Sequence, residues 1–232
     1  MRTLGLLGGM SWESTATYYQ LLNRYAREAL GGRHSAKMVI WSFDFAPIAD
    51  LQAAGRWPEA GALLADAARK LEDAGAEAIV ICANTMHLLA DEVQAAVTSP
   101  VIHVADATAR QLQGAGVKRP LMLATRFTME KPFYLERLAM HGIEAIVPSE
   151  RDRTRLHDII FDELVQGRLE TRSRLAVSDI AREAVAMRGV DGIILGCTEF
   201  GLLVGPADFD APVFDTTEIH ARAAMDFALG LT

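Results

Sequence analysis

Along the chain, short apolar runs alternate with longer stretches in which apolar positions recur every three or four residues. Residues 3–7, 37–43, 78–81, 101–104, 121–124, 144–147 and 192–195 are rich in Leu, Ile and Val, the composition of strands buried on both faces. Between them, helical spacing is predicted over 12–30 (through Tyr18, Leu21, Leu22 and Tyr25), 59–74, 87–97, 105–115, 131–141, 153–166, 169–188 and 217–229. The punctuation agrees. Ser11 is placed to cap the first helix, with Glu13 in its first turn, and Gly31-Gly32 and Gly75 follow helix ends. Ser99-Pro100 is a break, and residues 44–48 and 125–128 read as loops leaving strand ends. Strand followed by helix, repeated, is the pattern of an α/β fold with mostly parallel sheets.

The same order of elements occurs twice. Leu7 lies 75 residues before Cys82, and Leu123 lies 74 before Cys197. After Cys82 the chain reaches Pro100-Val101-Ile102, and after Cys197 it reaches Pro212-Val213-Phe214, each leading into a helix. This predicts two pseudo-symmetric α/β lobes. Residues 1–103 with 215–232 would form a discontinuous first lobe, onto which the closing helix packs back, and residues 104–214 the second. Lobes facing each other through their strand ends would place both cysteines in one cleft, where open parallel sheets bind ligands.

Composition narrows the partners. The 232 residues are 50% hydrophobic and 23% charged, with net charge −7 and a sequence pI near 5.4. Such a chain can bury a full core without disulfides or metal. The basic residues form no block, so no nucleic-acid footprint is expected. The N-terminal apolar run is too short for a signal-peptide core, and no run is long enough to span a bilayer. A cytoplasmic protein with no membrane partner is the expectation, and two cysteines at strand ends suit a reducing compartment.

Those two cysteines, the only ones in the chain, carry the candidate chemistry. Singly, each reads as a small buried hydrophobe. As a pair they differ from that: each ends an apolar run, has a threonine within three residues and precedes a segment able to start a helix, whose dipole would draw a thiol pKa down toward neutrality. Two such groups on opposite faces of a carbon suit stereochemical inversion, one removing the α-proton and the other returning one. The resulting carbanion needs donors aimed at the substrate carboxylate. The Gly9-Met10-Ser11 backbone, Asn84 and Thr85, Thr125 and Thr128, and Thr198 are the candidates, each also readable as a cap or turn residue. Glu199 can take a proton from Cys197, hold a substrate ammonium, or be an exposed first-turn carboxylate. His87 reads as a satisfied surface or helix histidine. Residues 5–9 lack the G-x-G-x-x-G spacing of a dinucleotide loop, and two cysteines 115 residues apart with no histidine pair give no metal site. No cofactor is expected.

The segments Gly8-Gly9-Met10-Ser11-Trp12-Glu13-Ser14-Thr15, Cys82-Ala83-Asn84-Thr85-Met86-His87 and Gly196-Cys197-Thr198-Glu199 resemble the signatures of the pyridoxal-phosphate-independent aspartate/glutamate racemases. The likeness runs end to end. With Trp12 and the 125–129 loop it is nearest to the bacterial branch of broad-specificity amino-acid racemases. It implies two Rossmann-like lobes with the site between them, frequent homodimers, a small amino-acid substrate, a role in D-amino-acid metabolism, and a two-base mechanism through Cys82 and Cys197. One departure bears on specificity. Where archaeal aspartate racemases place an arginine and a lysine for the side-chain carboxylate, this chain has Leu51 and Val165 or their neighbours, leaving Gln52 and Arg56 as substitutes. Related activities of the superfamily are hydantoin racemisation, decarboxylation and cis-trans isomerisation, and an amino-acid-binding protein without catalysis is the alternative of another class.

Overall fold

A computed structural model describes residues 1–231. The chain divides into two compact units, Met1–His103 together with the residues from His220 onward, and Val104–Ile219. Each is a small parallel sheet wrapped by helices.

In the first unit, β1 (Leu4–Gly8) leads through α1 (Trp12–Leu30) to β2 (Met38–Ser42), then through α2 (Phe45–Ala53) and α3 (Trp57–Asp73) to β3 (Ala78–Ile81). A 3-10 turn, Thr85–Leu89, and α4 (Ala90–Ala96) follow. The strands run parallel in the order β2-β1-β3, with Val101 bridging the free side of β3 at Ile79. Strand alternation divides the apolar residues between two faces. Leu7, Ile79 and Ile81 pack with Leu64, Ala67, Ala68 and Leu71 of α3. Leu4, Leu6, Ala78, Val80 and Cys82 face Tyr18, Leu21 and Leu22 of α1. Full burial of each large aliphatic side chain contributes about 1.5–3 kcal/mol, which makes a one-residue slip of register prohibitive.

The second unit opens with α5 (Val104–Gly114) and β4 (Pro120–Ala124), followed by α6 (Arg126–Glu130), α7 (Pro132–Met140), α8 (Glu150–Asp158) and α9 (Thr171–Arg188). Then come β5 (Gly192–Gly196), α10 (Phe200–Leu203) and β6 (Val213–Asp215). The order is β4-β5-β6, all parallel, and Ile146 bridges β4 at Leu121. Counting the single bridges, each sheet is four segments wide, and the strand that delivers a cysteine lies inside it, between its lobe's first strand and the segment that follows the cysteine. Chain order and spatial order therefore repeat between the two units. The last helix, α11 (Thr216–Leu229), places Ala221, Ala224, Met225 and Ala228 on the α1 face of the first sheet.

Several elements differ from the sequence expectation. Residues 44–48 are not an open loop: Asp44 caps α2 by accepting from the Ala46 amide, and Pro47 sits in the first turn, where its missing N–H would have had no partner. The runs 101–104 and 144–147 contribute one bridge each, because Val104 already begins α5 and the second run is pinned only at Ile146. Residues 126–128 are also helical, forming the start of α6 behind its cap Thr125. The helix expected from 153 starts at Glu150 under a Ser149 cap and relaxes into a π turn over Ile159–Glu163. No helix among the described residues is long and apolar enough to cross a membrane.

Candidate active site

In the first unit the site residues occupy the carboxyl ends of β1 and β3. Gly9, at φ 83°, turns the chain out of β1, and a Cβ there would stand 2.2 Å from the Phe43 carbonyl oxygen, so no other residue fits. The Gly9 amide donates to Thr15 Oγ1 at 2.8 Å, and that hydroxyl donates to the Ser11 carbonyl at 3.0 Å. Ser11 caps α1, accepting from the Ser14 amide at 3.3 Å, and its peptide bond to Met10 is cis. Met10 and Ser11 are buried.

Cys82 follows β3 and is fully buried, its amide donating to the Leu7 carbonyl at 2.9 Å. Its Sγ contacts the Val80 carbonyl at 3.8 Å. Asn84 and Thr85 open the 3-10 turn, with Asn84 buried and its carbonyl accepting from the His87 amide at 3.1 Å. Gln52 lies buried on α2, and its Nε2 donates to Met86 Sδ at 2.8 Å. Arg56 does not join them: it is exposed and forms a two-pronged ion pair with Glu59.

In the second unit, Thr125 caps α6, accepting from the Thr128 amide at 3.3 Å, and the two hydroxyls lie 3.1 Å apart. Cys197 follows β5. Its Sγ–H donates to Glu199 Oε2 at 2.9 Å, and Thr198 Oγ1 donates to the same oxygen at 2.6 Å. Glu199 is 5% exposed. Of the three readings open for this carboxylate, the exposed first-turn one fails: a short α10 turns the side chain back onto the thiol instead of outward.

The expectation of thiols acidified by helix dipoles is overturned. Burial pushes Cys82 up, and burial, reinforced by the Glu199 charge and hydrogen bond, pushes Cys197 up as well, against the opposing Glu199 and Phe200 amides. A single 3-10 turn and a four-residue helix carry too little aligned dipole to outweigh desolvation.

The sequence reading also missed a group around His87, which is buried, not at the surface. Its ring lies 4.8 Å from that of His103 and 5.2 Å from that of His220, centroid to centroid. The Ile102 carbonyl only accepts, so His220 Nε2 carries the proton and donates to it at 2.6 Å; His220 Nδ1 therefore accepts from the Tyr18 hydroxyl at 2.8 Å. These residues are far apart in sequence, and no local spacing announces them.

Burial lowers the His220 pKa to about 4, and burial with the neighbouring rings holds His87 well below the ordinary histidine value. A histidine that resists protonation only when folded contributes stability in full above about pH 6.5, and loses it as pH falls toward its folded value. At about 1.4 kcal/mol per pH decade, His220 alone removes roughly 2 kcal/mol between pH 6.5 and pH 5. The urea midpoint is expected to fall over that interval, and His220→Gln to flatten the fall; an equally steep fall in the variant refutes the assignment.

Among the described residues no group of three or more His, Cys, Asp or Glu side chains is arranged to hold a metal ion. The two cysteine-bearing strand ends can accept and deliver protons, and their surroundings are rich in hydroxyl, amide and backbone donors.

Comparison with known proteins places the chain in a family. Residues 7–224 match the family model described as Asp/Glu/Hydantoin racemase. The chain is similar to the broad specificity amino-acid racemase RacX of Bacillus subtilis (strain 168), 22% identical over 225 residues that cover 96% of each chain. It is similar in structure to a Yersinia pestis protein assigned to the Asp/Glu racemases, with TM-score 0.92, 50% identity, and 99% of this chain and 100% of that one covered. An aspartate racemase homologue from Pyrococcus horikoshii OT3 aligns with TM-score 0.85 and 35% identity over 99% of this chain and 100% of that one. The chain belongs to the Asp/Glu/hydantoin racemase family of isomerases.

Proposed function

We propose that this protein is a cofactor-independent amino-acid racemase in which Cys82 and Cys197 act on one α-carbon from opposite faces. The observation that carries the reading is the matched placement of the thiols: each directly follows the inner strand, β3 or β5, that pairs with the first strand of its own sheet. In one direction the Cys197 thiolate takes the α-proton and becomes a thiol, while Cys82 gives its proton to the other face and becomes a thiolate. The reverse direction exchanges the roles.

Both sulfurs rest protonated, because burial disfavours thiolate. Glu199 offers the Cys197 proton an acceptor already in hydrogen-bond contact, and the ammonium of an arriving amino acid would favour the thiolate left behind. The backbone at Met10 and Ser11, with Asn84, Thr85, Thr125, Thr128 and Thr198, would bind the substrate carboxylate and spread the carbanion charge. Gln52 would meet the side chain. It is neutral, and Arg56 is committed to Glu59, which favours a substrate range wider than aspartate and glutamate. The reading includes a homodimer in the cytoplasm.

The test is a panel of single-enantiomer amino acids incubated in deuterated water with no added cofactor, followed by NMR for loss of the α-proton and by chiral chromatography. Exchange with inversion, for uncharged as well as acidic side chains, is the expected result. Binding without exchange, or a covalent substrate adduct on mass analysis, overturns it.

A further inference from the structure

Cys197 is oriented by a charged neighbour, Glu199. The Cys82 sulfur instead makes a long contact, 3.8 Å, to the Val80 carbonyl. What fixes Cys82 is therefore the backbone that carries it, and the loop after β3 is gripped at two points. Gln52 holds Met86 by its sulfur. His87 holds Ala83, the residue next to the thiol: since a carbonyl only accepts, His87 Nδ1–H donates to the Ala83 oxygen, at 3.0 Å.

A single histidine ring in a one-turn helix would be a loose clamp, but this ring is locked from behind. His103 stacks against it at a tilt, and His220 meets it nearly edge-on. His220 is itself tethered at both nitrogens, to the Ile102 carbonyl next to the β3 edge and to Tyr18 on α1. Tyr18 and the α11 residues following His220 pack on the sheet face that bears Cys82. Two turns before Tyr18, the same helix is capped by Ser11. The network thus joins the Ser11 turn, the loop after β3 and the closing helix of the first unit.

We propose that His87 is a positioning residue for the Cys82 thiol, holding the Ala83 carbonyl in place, with Tyr18, His220 and His103 fixing the ring that does so. The inference rests on the reading of Cys82 as a catalytic thiol, and its test has a readout outside catalysis. His87→Leu keeps a side chain of similar bulk but loses the donor; His87→Asn restores an N–H within reach of the Ala83 oxygen. The variants are compared by kcat and KM, and by the rate at which a small alkylating reagent labels Cys82 and Cys197, resolved by peptide mass.

His87→Leu is expected to lower kcat roughly 10- to 100-fold, to leave KM unchanged, and to accelerate alkylation of Cys82 severalfold with Cys197 unaffected. His87→Asn recovers most of both. Wild-type kcat with wild-type labelling in His87→Leu overturns the proposal, as does equal acceleration at both cysteines, which marks general loosening. Should His87→Leu fail to fold, Tyr18→Phe removes one hydroxyl from the network and reads the same quantities, with smaller changes of the same sign expected. If the wild-type protein racemises nothing, selective labelling of Cys82 still supports the clamp, and only its catalytic purpose falls.

Discussion

Alanine at Cys82 or at Cys197 is expected to lower kcat/KM for racemisation by roughly 10² to 10⁴, and to lower it equally in both directions. The equality is thermodynamic. Enantiomers in achiral water have an equilibrium constant of one, so no variant can favour one direction in kcat/KM. The two variants should nevertheless differ in what they still do. A remaining thiol can lift the α-proton of the enantiomer that faces it, exchange that proton with solvent and return a deuteron to the same face. Cys82→Ala should therefore exchange one enantiomer with retention, and Cys197→Ala the other. Each enantiomer is incubated with each variant in deuterated water, and label and chirality are scored together. Wild-type racemisation by either variant, or exchange of the same enantiomer by both, refutes the paired-thiol mechanism. Folding is not expected to confound the result, since neither sulfur forms a disulfide and alanine leaves only a small void behind each.

Much of this was legible before any coordinates because it depends on local pattern. The runs that became β1, β3, β4 and β5 are apolar without interruption, since both sheet faces are covered, and each cysteine ends such a run. Ser11 was placed as a cap because its residue type and the helical spacing after it suffice. What failed depends on tertiary context. Residues 44–48 read as an exit loop, whereas Asp44 caps a helix there whose first turn tolerates Pro47. The dipole argument for acidic thiols assumed proper helices beyond each sulfur, where the chain makes one short turn and burial decides the sign. Tyr18, His87, His103 and His220 come from four separate stretches of the chain, and only folding puts them side by side. Glu199, two residues after Cys197, reads from the sequence as one possible acceptor for that thiol's proton; the structure puts its carboxylate in hydrogen-bond contact with Cys197, whereas burial alone shifts Cys82.

That asymmetry yields the second large effect. Glu199→Gln retains a carbonyl oxygen that can accept from the Cys197 thiol but removes the charge and the ability to take the proton. Two consequences oppose each other. Loss of the negative charge lets the thiol ionise at lower pH, because the Glu199 charge is one of the causes that push Cys197 up. Loss of the acceptor leaves the thiol proton without a local destination at neutral pH, and a positioned base is worth roughly 10² to 10⁴ in rate. The second outweighs the first near pH 7, because burial, the larger cause of the raised pKa, is untouched by the substitution. The variant should therefore be slower by about 10² or more at pH 7, with the rising alkaline limb of its kcat/KM profile moved to lower pH. Again kcat/KM must fall equally for both enantiomers, but removal of the α-proton by Cys197 becomes the slow step for only one of them. With α-deuterated substrates, the primary isotope effect should grow for the enantiomer that Cys82→Ala still exchanges, and shrink for the other, whose label Cys82 removes before the slow Cys197 transfer. A rate unchanged at pH 7, or isotope effects that rise together, shows that Glu199 does not act through Cys197.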